Sequence, residues 1–293
     1  MTEGASFLAR IPAPALFIVS SVSLYVGAGL AVSTFDEVRP ESVAWLRVAA
    51  GALVLAVLVR PWRLEWSRLE LRTAAAFGTV LACMNLTFYL AAARVHLGST
   101  VAIEFLGPIT VAAWSTRSRA GLAAVGVAGG GVAMLGIGLR TDPVGLAWTL
   151  LAAVCWGGYV VLGHRVSRQR SGIEGLAVAL AFGAVVTAPI GLWGTGPAWS
   201  SPRLLLTCIG VGVFSSLVPY GLDQHVLRRI SRGEFALLLA ILPVMATIMG
   251  LLLLSQRPRW FELVGIAAVC VGLVLQARST ARDDVVADPA GSA

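Results

Sequence analysis

Between positions 13 and 276 the chain repeats one pattern ten times: an apolar run followed by a short polar connection. A hydrocarbon layer about 30 Å thick is crossed by about 20 apolar residues in helical form. The runs fall at 13–33, 42–59, 71–92, 98–114, 121–139, 144–163, 174–193, 204–222, 235–254 and 260–276. The shorter ones are completed by flanking residues or by packing inside a bundle. Only 13% of the residues are charged, against roughly 25% in soluble domains, so water cannot be the only solvent of this surface. The expected fold class is therefore an all-α membrane protein with ten transmembrane helices.

The first run, from Ala13, continues for a full span without a cleavage site and reads as a membrane helix, not a removed leader. Residues 1–12 form a short N-terminal segment. Residues 277–293 are polar, contain Pro289 and Gly291, and are expected to be a disordered tail.

All 22 basic residues are Arg. With ten crossings and an inner N-terminus, 15 of them fall in inner segments and six in outer ones (Arg39, Arg94, Arg140, Arg203, Arg257, Arg259), with Arg47 inside a span. Inner loops carry the positive excess, so both termini are expected in the cytoplasm, in the inner membrane of a bacterium. The basic residues read as topology signals, and no nucleic-acid partner is expected. The lack of Lys excludes a phosphate-binding Walker loop and Schiff-base chemistry. Cys83, Cys155, Cys208 and Cys270 sit in apolar runs without zinc or disulfide spacing. No metal and no cofactor are expected, and no HExxH or GxSxG motif points to an enzyme.

A weak internal repeat is present. A shift of 135 residues puts Arg94 on Arg229, Gly98 on Gly233 and Pro108 on Pro243; near the first span a shift of 130 puts Gly27 on Gly157. Five spans per half force opposite orientations, which predicts two inverted repeats at 13–139 and 144–276. Inverted repeats are a secondary-transporter architecture, with the substrate between the halves near the midplane. Gly126 and Gly130 form a GxxxG pair that reads either as close helix packing or as a hinge or dimer seam. Trp62, Trp66, Trp114, Trp193, Trp199 and Trp260 near span ends read as interface anchors.

Charge inside a membrane is costly and therefore informative. Arg47 in the second run and Glu104 in the fourth stand at matched depth, about 7–9 Å below the outer surface at about 1.5 Å per residue. Asn85 in the third run reaches the same layer, with Tyr89 one turn above. Arg47 and Glu104 either neutralise each other as a structural pair or face a cavity that binds a zwitterion. In the second case Arg47 holds the carboxylate through its planar fork, Glu104 holds the ammonium, and Asn85 and Tyr89 orient the ligand. Glu104 is also a candidate for proton coupling. The second half lacks these charges, with Leu239 at the place of Glu104 and Tyr220 at that of Asn85. Trp156, Tyr159 and Tyr220 are read as an apolar and aromatic wall, or simply as packing. Pro108, Pro219 and Pro243 free carbonyls within spans and shape or gate the bundle. His96, His164 and His225 read as interfacial.

Several stretches carry a family resemblance. Leu46-Arg47-Val48-Ala49-Ala50-Gly51 and Arg60-Pro61-Trp62-Arg63 resemble the second span and following loop of the threonine/homoserine exporter branch of the EamA family, in the drug/metabolite transporter superfamily. Met84-Asn85-Leu86-Thr87-Phe88-Tyr89, Ala102-Ile103-Glu104-Phe105-Leu106-Gly107-Pro108 and Leu217-Val218-Pro219-Tyr220 are similar to the same branch. The resemblance implies ten helices in two inverted five-helix EamA repeats, cytoplasmic termini and export of amino acids or related metabolites. There are departures: Leu242 stands where the family often has Glu before the proline, Ser255-Gln256 replaces a common Gly-Glu, and Asp223 stands where the branch tends to have Glu.

The expected function is export of a small metabolite, with amino acids as the first class, by alternating access. The proton gradient is the candidate energy source, since no nucleotide-binding motif is present. The alternatives are a drug or other metabolite exporter of the same fold, or a non-transporting membrane protein or membrane enzyme.

Overall fold

The computed structural model describes residues 11–116, 118–138, 142–169, 172–219, 222, 226, 229–230 and 232–287. Its described residues form helices and connecting turns. The helices are α1 (Ala13–Val32), α2 (Pro40–Val59), α3 (Arg68–Ala92), α4 (Leu97–Glu104), α5 (Leu106–Thr116), α6 (Arg119–Gly138) and α7 (Pro143–Gln169). They continue with α8 (Gly172–Gly191), α9 (Gly196–Ser200), α10 (Pro202–Gly212), α11 (Arg232–Leu239), α12 (Leu242–Leu254) and α13 (Trp260–Ala287).

Local chemistry sets many of the ends. Proline occupies the first turn of α2 and α10, where a missing N–H costs nothing. Ser67 and Glu70 form a reciprocal capping box at the start of α3. Arg60 and Ser255 close α2 and α12 in the left-handed region, at φ 53° and 54°.

Two spans are broken. The helix stops at Glu104 and resumes at Leu106, and it stops again at Leu239 and resumes at Leu242. Pro108 and Pro243 lie four residues after the last residue of each first segment, so the carbonyls of Glu104 and Leu239 lose the N–H that the next helical turn would offer them.

Nine segments of the described residues are long and apolar enough to cross a membrane, with the two broken spans counted whole as Leu97–Trp114 and Leu237–Leu254. The run expected at 204–222 appears as a shorter apolar helix, Pro202–Ser215. It passes through a π-helical turn at Val213–Leu217, and part of its remainder lies outside the described residues. At the other extreme, α13 runs on to Ala287, so residues 277–287 are helical where disorder was expected. No Gly or Pro interrupts the chain from Leu273 to Asp288, and nothing local stops the helix before Pro289.

The helices pack through small residues. Gly131 of α6 and Gly265 of α13 each lie against the other's backbone carbonyl, and Gly78 of α3 lies against the carbonyl of Ala179 in α8. Gly126 and Gly130 face open space, so close packing within the chain does not account for that pair. Connections alternate between two ends. At one end Arg203 pairs with Glu37 at 2.7 Å, Arg94 with Asp142 at 3.5 Å and His96 with Glu262 at 3.1 Å. At the other, Arg229 donates to the carbonyl of Ile11 and Ser118 meets Ser279.

A candidate substrate site at the broken helices

Pro219 has no N–H for the carbonyl of Ser215, one turn earlier in the chain. That carbonyl accepts instead from Nη2 of Arg47 at 3.0 Å. The neighbouring carbonyl of Phe214, also in the π turn, accepts from the Ser23 hydroxyl at 2.9 Å. A side chain on Gly27 would collide with Ser215, so α1 approaches this turn closely. Arg47 also donates through Nη1 to the Tyr89 hydroxyl at 3.4 Å, its guanidinium carbon 5.8 Å from the ring centre. Tyr89 is fully buried against Phe35 and Phe88.

Glu104 ends α4, a half-helix whose eight residues are all buried. Its carboxylate makes no hydrogen bond or ion pair among the described residues. The Arg47 charge acts on it across the intervening space, and it acts in turn on Tyr25 and Cys155. Arg47 and Glu104 are each seven residues from the first residue of their helices, Pro40 and Leu97. At about 1.5 Å per residue both stand about 10 Å below the same end. They share a layer without forming the direct ion pair considered from sequence.

Asn85 is also seven residues from that end of its helix, at Ala92. It is buried, and its Nδ2 donates to the Leu81 carbonyl one turn back at 2.9 Å. Trp156 packs on Phe105, the residue after Glu104, with ring centres 4.5 Å apart. Tyr159 packs on Phe77 at 5.1 Å, in a separate apolar cluster with Val48 and Leu81. Tyr220 lies outside the described residues, as do Asp223 and His225. The structure thus joins Arg47 to Tyr89 and sets Trp156 beside the Glu104 break, while Tyr159 belongs to different packing.

Three participants were not singled out from sequence: Ser215, Ser23 and Tyr25. Ser215 contributes a backbone carbonyl, and the spacing to Pro219 was its one available signal. Its hydroxyl is buried with no hydrogen-bond partner among the described residues. A second polar cluster lies at the start of α4. Glu262 accepts from the Ser99 hydroxyl at 3.3 Å and from the Arg259 N–H at 2.6 Å, and it meets His96 Nδ1 at 3.1 Å. Gln256 accepts from the Leu97 N–H at 2.9 Å. The α12–α13 corner therefore caps the half-helix that carries Glu104 at its other end. His96, read from sequence as merely interfacial, is part of this cap.

Among the described residues no group of three or more His, Cys, Asp or Glu side chains is gathered as a metal site. The cysteines are free; Cys208 is buried and the other three half-buried.

Residues 143–278 match the EamA-like transporter family. The threonine/homoserine exporter RhtA of Salmonella typhimurium is 32% identical over 258 residues, covering 87% of each chain. The protein of the same name from Escherichia coli K12 is 30% identical over 258 residues, again with 87% of each chain covered. A solved protein crystal structure at 19% identity aligns with a TM-score of 0.58 over 92% of this chain and 99% of that one, and shares the fold. The chain is a multi-pass membrane protein and a transporter rather than an enzyme, and it belongs to the EamA-like family in the branch that contains the threonine/homoserine exporters.

Proposed function

We propose that this protein exports small zwitterionic amino acids, threonine and homoserine first among them, across the bacterial cytoplasmic membrane by alternating access. One observation carries the reading: in a chain similar to threonine/homoserine exporters, the buried Glu104 carboxylate has no direct partner among the described residues and lies in the field of Arg47. In the reading, Arg47 and the Tyr89 hydroxyl hold the substrate carboxylate, and Glu104 takes the ammonium group or a coupling proton. Asn85, Trp156 and Tyr220 complete the walls, while Tyr159, expected there from sequence, packs with Phe77 instead.

The architecture proposed is ten helices in two inverted five-helix repeats, 13–139 and 144–276, between an N-terminal segment 1–12 and a tail 277–293. Packing supports it. α3 lies on α7 as α10 lies on α1, and α5 meets α7 as α12 meets α1. The two broken helices end at residues 135 apart, Glu104 and Leu239. Arg94 holds Asp142 at the entry to α7, as Arg229 holds Ile11 at the entry to α1. The Arg distribution supports cytoplasmic termini.

Uptake of radiolabelled threonine and homoserine into proteoliposomes tests the function, with wild type against Glu104→Gln, with and without a pH gradient. Transport that the substitution abolishes in folded protein supports the reading. Folded wild type that moves no amino acid overturns it and leaves a drug or other metabolite exporter of the same fold.

A further inference from the structure

The loop between α2 and α3 carries Arg60, Arg63, Arg68 and Arg72 within 13 residues, all exposed. None of the four makes a hydrogen bond through its side chain or an ion pair among the described residues. The nearby acids are already engaged: Glu70 accepts the Ser67 N–H at 2.8 Å in the capping box, and Glu65 interacts with another group. The opposite end of the bundle differs. There Arg39, Arg94 and Arg203 pair with Glu41, Asp142 and Glu37.

The loop is also stiff. The left-handed Arg60 leads into a 3-10 turn at Pro61–Arg63, and Trp66 Nε1 donates to the Pro61 carbonyl at 2.9 Å. Trp62 and Leu69 stand 66% exposed beside the charges, at the end of two membrane-spanning helices. Apolar groups at that level have acyl chains as their neighbours, and the guanidinium groups next to them reach the phosphate layer. A planar guanidinium forks onto a phosphate through two N–H groups.

We propose that this loop is a binding site for acidic phospholipid headgroups, with Trp62 and Leu69 in the acyl boundary and the four Arg on the phosphates and the anionic charge. The 3-10 turn and the Trp66 bond fix the loop backbone, so binding has to order the Arg side chains but not the chain that carries them.

The test is lipid retention by the full-length protein, read by native mass spectrometry after titration with phosphatidylglycerol or phosphatidylcholine. Wild type is expected to hold phosphatidylglycerol preferentially. R63Q/R72Q should weaken phosphatidylglycerol about twenty-fivefold, about fivefold per charge removed, and leave phosphatidylcholine unchanged. R63K/R72K keeps the charge and guards against a folding or insertion defect; it should recover most of the retention. R39Q/R203Q, at the other end, should have no effect. Equal retention of both lipids by wild type, or an equal loss in R39Q/R203Q, would overturn the proposal and leave the four Arg as insertion signals alone.

Discussion

Arg47 of α2 donates to the Ser215 carbonyl at 3.0 Å, a carbonyl to which Pro219, one turn on, offers no N–H. This residue therefore has a structural task whatever its part in transport. Arg47→Gln is expected to lower stability by about 1–3 kcal/mol, the cost of an unsatisfied buried polar group, and to abolish amino acid uptake. Arg47→Lys retains a donor for the carbonyl but loses the planar fork. It should recover most of the stability and little of the transport. Thermal unfolding in detergent and proteoliposome uptake measure the two effects separately; full uptake by Arg47→Lys would remove the fork from the substrate site.

Glu104→Gln predicts the opposite balance. The carboxyl group has no direct partner among the described residues and is buried, and ionising it there is expensive. Replacing it with a neutral amide should leave the unfolding temperature unchanged or raise it, while uptake falls at least tenfold by the reading above. A large drop in the unfolding temperature would mean that Glu104 serves the fold.

Glu262→Ala removes the acceptor for Ser99, for the Arg259 N–H and for His96. A hydrogen bond to a charged group contributes about 1.5–3 kcal/mol, so the first turn of α4 should open more often. Amide exchange over residues 97–100 should quicken in Glu262→Ala while α6 remains protected. Unchanged exchange at 97–100 would show that the cap does not hold the half-helix.

Glycine positions separate tight seams from free faces. A methyl group at Gly78 would meet the Ala179 backbone, and overpacking costs about 1–3 kcal/mol or more. Gly78→Ala should lower the unfolding temperature accordingly. Gly126 has no neighbour there, and Gly126→Ala should be neutral or gain up to about 1 kcal/mol of helix propensity. Equal losses at the two positions would indicate a partner on the Gly126 face.

Much of this was legible in the sequence. The apolar runs located the spans because membrane helices are nearly uniform in composition, and depth counting put Arg47 and Glu104 in one layer. The break after Glu104 follows from Pro108. What was hidden has a physical cause. Ser215 acts through its main chain, which no residue type advertises, and the π turn left no compositional trace. The cap on α4 joins His96 to Glu262, 166 positions apart, and two ordinary polar residues give no sign of each other across that distance. The eighth span looked like the others by hydropathy until its regular helix gave way at Val213.

The crossing of Gly131 on Gly265 has a mechanical consequence. Two helices seated backbone on backbone cannot slide past one another without first separating. The pair α6 and α13 is therefore joined as one unit, and its two helices move together in any working stroke. It also restrains evolution: a larger side chain at either position would wedge the pair apart, and since neither residue can shrink to make room for the other, both sites are held to glycine.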